Sequence, residues 1–183
     1  AYEAVTRYCG WAPIEAGKTM GLFPYGEPCD KFPDIYNDGG GGKWKTADRN
    51  LIIPTYPNGA VVNEGRWEYL NDPDPIEATH DLTRLENRRN MAYAIQTESQ
   101  QMVLDLIRKS VEMSGNKNIV LSGGYGLNCV ANYWYLGQLK DEGINLYVEP
   151  ISNDAGTSIG AALFAHHIVN KDEKVRGYAD SLF

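Results

Sequence analysis

The longest helical pattern of hydrophobic positions runs from residue 82 to residue 114. Its apolar positions recur every three or four residues and form one wide stripe. They are Met91, Ala94 or Ile95, Met102, Val103, Leu106, Ile107 and Val111. The pattern predicts a long helix that ends at Gly115. Its polar middle, with Gln96, Glu98 and Gln100, is predicted to lie on a solvated face.

Shorter patterns precede this helix. Residues 1–8 carry apolar positions at helical spacing, which predicts a helix closed by Gly10. Residues 50–54 predict a short strand, and the Asn-Gly pair at 58–59 is typical of a β-hairpin. The rest of residues 27–75 predicts an irregular insertion whose aromatic side chains pack in a core rather than contact a substrate. These aromatic residues are Trp44, Tyr56, Trp67 and Tyr69.

A strand–turn–helix pattern occurs twice in the last third of the chain. An apolar run at residues 119–121 stops at the Ser-Gly-Gly triplet 122–124, and a helical pattern follows at once. Residues 146–150 predict a second strand, which leads through a turn at 151–156 into a helix of small residues at 157–166. The repeat predicts a parallel sheet with both turns at its carboxyl edge, where open α/β sheets bind ligands.

The first of these turns has the chemistry of an anion-binding site. Gly123 and Gly124 let the backbone approach a ligand closely and adopt positive φ. The helix that follows directs N–H groups toward the turn, which favours a phosphate. Asn128 and Asn132, four residues apart on one face of this helix, indicate buried hydrogen bonding.

Asp154 lies in the second turn, between an apolar strand and a helix of small residues. Its carboxylate is placed either to bind a cation near a phosphate or to cap the helix that begins at Thr157. His166 and His167 are adjacent, about 100° apart on a helix, and make a poor metal-binding pair. From the residues alone, both roles of Asp154 stay open.

Lys18 belongs to a Gly-Lys-Thr triplet like the one that ends a phosphate-binding P-loop. The glycine that the motif requires five positions before Gly17 is Ala12, and the preceding segment predicts a helix rather than a strand. We therefore reject a P-loop. Lys18 either faces a ligand phosphate as a point charge or is a solvated loop lysine.

Composition restricts the class of protein. With 183 residues and a net charge of −7, the chain is one domain's worth of material and lacks the basic surface of a nucleic-acid-binding protein. Its three cysteines have no C-x-x-C spacing, so neither a disulfide framework nor a zinc ribbon is indicated, and a cytoplasmic location is expected. No apolar run approaches the roughly 18 residues of a membrane span. The sequence opens without Met, which suggests a piece of a longer polypeptide.

Three motifs occur in order along the chain. They read E-x-G-K-x-M-G-L-x-x-Y-G at residues 15–26, L-S-G-G-x-x-L-N-x-x-x-N at 121–132, and P-x-x-x-D-x-G-x-x-x-G-A-A at 150–162. Together they resemble the signatures of the NodU/CmcH-type O-carbamoyltransferases over residues 2–166. One departure is Phe23, which stands where that family usually has alanine.

The resemblance implies an α/β fold, namely the actin-like ATPase (ribonuclease H-like) subdomain with a mixed sheet flanked by helices. Residues 1–175 would form the C-terminal half of the carbamoyl-transfer domain, with an insertion at 27–75, and residues 176–183 would start a linker to a further C-terminal domain. The family's H-x-x-x-H metal ligands do not occur, because the histidines are His80, His166 and His167. We therefore expect a missing N-terminal lobe, or a homo-oligomer, to complete the cleft.

The activity that the resemblance implies is ATP-dependent O-carbamoyl transfer. Carbamoyl phosphate and ATP would form carbamoyl-adenylate, whose carbamoyl group passes to a small-molecule hydroxyl, with a divalent metal, iron or magnesium, as cofactor. The motifs assign nucleotide contact to Lys18, Ser122, Gly123, Gly124 and Asn128, and the metal to Asp154. They assign no catalytic residue.

Two other functions remain open. A threonylcarbamoyl-adenosine synthase-like protein would act on tRNA, but the net acidity and the motif around Lys18 favour the first interpretation. A non-catalytic remnant would bind a nucleotide or a partner subunit, and the absence of H-x-x-x-H favours this one.

Overall fold

The computed structural model describes residues 1–37, 45–71 and 86–170. The chain divides into two units, Ala1–Leu106 and Ile107–Phe183, which are described separately below. Among the described residues, no helix combines the length and the apolar character that a membrane span requires.

The first unit is built from helices and two short antiparallel strand pairs. The helices are α1 (Tyr2–Tyr8), α2 (Ala16–Leu22) and the first part of α3 (Glu86–Ser114); the strands are β1 (Tyr36–Asn37), β2 (Thr46–Ala47), β3 (Ile52–Pro54) and β4 (Ala60–Val62). β1 pairs with β2, and β3 pairs with β4. Their apolar side chains share one core, which includes Val5, Ile35, Leu51, Met91 and Ile95. The hydrophobic effect of burying these side chains supplies the main stabilisation of this unit.

The predicted hairpin is confirmed as the β3–β4 pair. Thr55 N donates to Gly59 O at 3.0 Å and closes the loop, and Gly59 adopts a φ of 137°, which glycine tolerates best. Trp67 and Tyr69 pack against the core as predicted. The prediction for Tyr56 is wrong: its side chain is 98% exposed because it lies in the loop beyond the paired residues. Trp44 lies outside the described residues.

Helix α3 confirms the predicted element and ends at Ser114, where Gly115 adopts a φ of 68°. Residues 82–85 of the predicted helix lie outside the described residues. Leu106 was assigned to the apolar stripe but is 46% exposed, because the buried face at this point runs through Leu104 and Ile107.

The polar middle of α3 is buried, so the predicted solvated face is wrong. Gln96 is fully buried: its Oε1 accepts from Tyr2 Oη at 2.7 Å, and its Nε2 donates to Gln100 Oε1 at 3.3 Å. Glu98 is partly buried, and its carboxylate accepts from Tyr36 N at 2.9 Å. Burial raises the pKa of Glu98 because desolvation penalises the charged form. Hydrogen bonds to distant residues thus make burial of these amides and this carboxylate tolerable.

The second unit contains the repeated strand–turn–helix. Its elements are β5 (Asn118–Leu121), α4 (Cys129–Leu139), β6 (Asn145–Val148) and α5 (Gly156–Asn170), together with the last residues of α3. β5 and β6 are parallel, with Asn118 opposite Asn145 and Leu121 opposite Val148. This pairing confirms the predicted parallel arrangement.

The fold is mixed α/β, as predicted at that level. Among the described residues, however, the strands form three two-stranded sheets, two antiparallel and one parallel. Of the predicted mixed sheet, the described residues of the second unit contain the parallel pair β5–β6. The more specific actin-like ATPase fold stays a prediction.

Candidate functional site

The Ser-Gly-Gly turn follows directly from the end of β5. Ser122, Gly123 and Gly124 are all exposed, and Gly123 adopts a φ of 99°, a conformation that L side chains rarely reach. A Cβ atom added to Gly123 or Gly124 would meet no atom of the described residues within 4 Å. The space beside this turn is therefore open to a ligand within the part of the chain that the structure describes.

Helix α4 begins later than the sequence pattern suggested. A short 3₁₀ turn, Gly124–Leu127, intervenes because Gly126 N donates to Gly123 O at 2.8 Å and Asn128 N donates to Tyr125 O at 3.0 Å. The helix N-terminus is consequently set back from the glycine pair. The prediction that the helix begins directly after Gly124 is therefore wrong, because α4 begins at Cys129.

Asn128 and Asn132 are hydrogen-bonded, as their spacing predicted. Asn128 is the N-cap of α4 and is 8% exposed; its Oδ1 accepts from Ala131 N at 3.0 Å. Asn132 Nδ2 donates to Gly126 O at 2.7 Å and ties the helix to the preceding turn. Asn128 therefore has a structural role whether or not it also contacts a ligand.

The second loop connects β6 to α5. Asn153 Oδ1 accepts from Ala155 N at 3.1 Å, and the carbonyl oxygen of Asp154 accepts from Thr157 N at 3.1 Å and from Thr157 Oγ1 at 2.6 Å. Among the described residues, these bonds rather than the Asp154 carboxylate serve the start of α5. Asp154 is exposed, so its carboxylate is accessible to a cation.

The two loops meet at the carboxyl edge of the parallel pair, as predicted. A Cβ atom added to Gly126 would lie 3.1 Å from Ser152 Oγ and 3.3 Å from Ser152 Cβ, so the two residues are in close contact. Ser152 was not a sequence candidate, and it is 5% exposed. Glu149 N also donates to Leu121 O at 3.0 Å and continues the ladder to the point where the loops diverge.

The metal role of Asp154 stays a prediction. Among the described residues, no three His, Cys, Asp or Glu side chains cluster as metal ligands. Asp154 would therefore be a single carboxylate ligand, which suits a hard divalent cation whose other ligands come from phosphate, water or another chain segment. His166 and His167 are exposed on α5, and Asn170 Nδ2 lies 2.9 Å from His166 Nδ1.

Lys18 belongs to the first unit and lies in helix α2, not in a loop. Its side chain is about half exposed and forms an ion pair with Glu15. That hydrogen bond lowers the pKa of the Glu15 carboxyl, and the Ala12 backbone N–H also donates to this carboxylate. The lysine charge is thus solvated and already partnered, and its contact with a ligand stays a prediction.

Comparison with known protein families identifies the chain. Residues 1–163 match the family described as Carbamoyltransferase N-terminus. The chain belongs to the carbamoyltransferase family. The matched carbamoyltransferase region contains both loops at the sheet edge as well as the segment around Lys18.

Three curated relatives of this carbamoyltransferase chain are all much longer than it is. The uncharacterized protein sll1178 of Synechocystis sp. is 32% identical over 99% of the chain and 29% of its own length. Nodulation protein NolNO of Sinorhizobium fredii is 28% identical over 88% of the chain and 22% of its length. Nodulation protein NolO of Bradyrhizobium diazoefficiens is 25% identical over 88% of the chain and 27% of its length. The chain therefore spans less than a third of these relatives.

Proposed function

We propose that this chain is part of an ATP-dependent O-carbamoyltransferase that moves a carbamoyl group from carbamoyl phosphate, through carbamoyl-adenylate, to a small-molecule hydroxyl. The observation that carries the proposal is the open Gly123–Gly124 turn at the carboxyl edge of a parallel strand pair, inside the region that matches the family. Such an edge is where α/β proteins bind nucleotides. ATP as co-substrate agrees with a cytoplasmic location.

The first loop would bind the nucleotide. Exposed backbone at Ser122, Gly123 and Gly124 allows a phosphate or ribose to approach closely, since no side chain of the glycines stands in the way. Asn128 would hold the loop in place by capping α4. Contact of Lys18, in the first unit, with the nucleotide stays a prediction.

The second loop would bind the cation. The accessible Asp154 carboxylate follows β6, and its loop touches the first loop through Ser152 and Gly126. A divalent ion, magnesium or iron, would neutralise phosphate charge and polarise the carbamoyl donor when bound. The chain itself would contribute one carboxylate, that of Asp154, as a ligand of the cation beside the first loop.

Calorimetric titration of ATP, with and without Mg²⁺, tests the proposal on the chain itself. We expect Gly124→Val to abolish binding, because the added side chain would occupy the ligand's space, whereas its Cβ would meet no atom of the described residues within 4 Å. Gly137→Val is the matched control, since Gly137 on α4 is also exposed and has the same free surroundings. Asp154→Asn should leave ATP binding in place and remove the gain that Mg²⁺ provides.

The outcomes separate the remaining functions. Binding lost equally in Gly124→Val and Gly137→Val would contradict the assigned loop. Binding of ATP without any effect of Mg²⁺ or of Asp154→Asn would favour a non-catalytic nucleotide-binding protein, whose cleft another lobe or a second copy completes. Retention of tRNA by the chain at physiological salt would favour the threonylcarbamoyl-adenosine alternative instead.

A further inference from the structure

Two buried polar atoms beside Gly126 stand out at the junction of the loops. Among the described residues, neither Ser152 Oγ nor Asn132 Oδ1 has a hydrogen-bond partner, although both atoms are shielded from solvent. Ser152 as a whole is more than nine-tenths buried. Buried polar atoms are nearly always hydrogen-bonded, so each unpaired one calls for a partner.

Both residues contact Gly126, from two different elements. Asn132 Nδ2 on α4 donates to Gly126 O at 2.7 Å, so the Asn132 carboxamide is fixed against this turn. Ser152, from the second loop, lies so close that a Cβ on Gly126 would come within 3.1 Å of its Oγ. The carbonyl oxygen of Leu121, at the end of β5, lies 3.6 Å from the same Cβ position. The two side chains that carry the unpaired atoms thus both contact Gly126, where the two loops meet.

The chemistry of the two atoms defines what they accept. A serine hydroxyl both donates and accepts a hydrogen bond, whereas the Oδ1 of an asparagine only accepts. Asn132 cannot offer its Nδ2 instead, because that group is already bonded to Gly126 O. The complementary group therefore carries an N–H or O–H donor.

We propose that Ser152 and Asn132 form a hydrogen-bonding site for such a donor group at the junction of the first loop and the second loop. The donor is either an ordered water, of which buried sites typically hold one with about three hydrogen bonds, or an amine or hydroxyl of the bound ligand. The ligand source rests on the proposed function, whereas the water source does not. In both cases the two side chains are positioning residues that set the spacing between the loops.

Ser152→Ala tests the proposal, because alanine removes the hydroxyl without adding an atom near Gly126. Ser158→Ala is the matched control: its hydroxyl donates to Ala155 O at 2.8 Å in the same region but is exposed. The full chain is followed by thermal unfolding with and without ATP, and ATP binding is measured by calorimetry. ATP carries an adenine amine and ribose hydroxyls, which are donors of the required kind.

The two sources give different results. With a structural water, Ser152→Ala lowers the Tm by about 2–4 °C relative to Ser158→Ala, equally with and without ATP, and leaves the affinity unchanged. With a ligand donor, the Tm without ATP is unchanged or higher, and ATP binds about tenfold more weakly. A Tm that is unchanged or higher together with an unchanged affinity overturns the proposal, since the hydroxyl then has no partner.

The experiment distinguishes failure of the proposed function from failure of the Ser152 site. If the unsubstituted chain binds no ATP, the nucleotide assignment fails, and the Tm without ATP alone decides the Ser152 site. A lowered Tm of Ser152→Ala then still supports a water-filled junction. A Tm equal to or above that of the unsubstituted chain rejects the site.

Discussion

Replacing Asn128 with alanine removes the side chain that caps α4. Asn128 Oδ1 accepts from Ala131 N at 3.0 Å, and both residues are buried, so water cannot easily replace the lost acceptor. Loss of an N-cap typically lowers the free energy of unfolding by about 0.5–2 kcal/mol. Because the Ala131 N–H would stay buried, we expect the upper half of that range, about 1–2 kcal/mol. For a chain of this size, this corresponds to a Tm lower by about 2–8 °C.

Two matched variants isolate the capping contribution. Asn128→Asp keeps an acceptor at the N-cap and adds a negative charge that the helix dipole favours, so its stability should return to near the original value. Asn145→Ala removes an asparagine whose Nδ2 bonds to Asn118 Oδ1 in an exposed pair, and should change the free energy by less than about 0.5 kcal/mol. Urea unfolding followed by circular dichroism measures all three.

The same variants separate stability from ligand binding. If the first loop binds a phosphate, Asn128→Asp should bind ATP more weakly than the unsubstituted chain even though it is equally stable, because its charge repels the anion. Equal instability of Asn128→Asp and Asn128→Ala would refute the capping argument. Full stability of Asn128→Ala would refute it as well.

Three more predictions follow from the burial of polar and titratable side chains. Gln96→Ala should lower the free energy of unfolding, measured by urea unfolding, by about 2–4 kcal/mol, since it opens a cavity and removes the hydrogen bond that Tyr2 Oη donates to Gln96 Oε1. A loss below about 0.5 kcal/mol would contradict the burial of this amide. Because the pKa of Glu98 is raised, its contribution to the free energy of unfolding is most favourable below its unfolded pKa and is lost as pH rises through the folded pKa. Glu98→Gln should therefore be more stable than the original chain at neutral pH but not near pH 4, as urea unfolding at both pH values would show. Burial raises the pKa of Cys9 to about 12, so iodoacetamide should modify the exposed Cys129 and spare Cys9 in the folded chain, as mass spectrometry would show; rapid Cys9 labelling would mean that the core opens.

Turn chemistry made much of the fold predictable from sequence. Gly59, Gly115 and Gly123 were assigned to the hairpin loop, a helix end and the ligand turn, and all three adopt positive φ. Such assignments work because a left-handed backbone conformation is a local requirement that glycine meets at little steric cost. The strands on either side then followed from short apolar runs.

Burial of polar side chains was not predictable in this way. Hydrophobic periodicity assigns a glutamine to the solvated face of a helix because the pattern contains no information about distant partners. The acceptor role of Gln96 depends on Tyr2, which is 94 positions away in sequence. Only the packing of α1 near α3 in the first unit brings that hydroxyl close enough to offset the cost of burying the amide.

The candidate site contains residues that local motifs locate and a residue that only the packing of the chain brings into place. Gly123 and Asp154 stand in motifs, so their loops could be located from sequence, and parallel pairing alone places those loops at one edge. Ser152 lies only two positions before Asp154, yet nothing in the local pattern distinguishes it from any polar loop residue. Its proximity to Gly126 arises from the register that sets Leu121 opposite Val148, because this register fixes how far each loop extends beyond its strand. The spacing between the two loops is therefore a property of the strand pairing rather than of either motif alone.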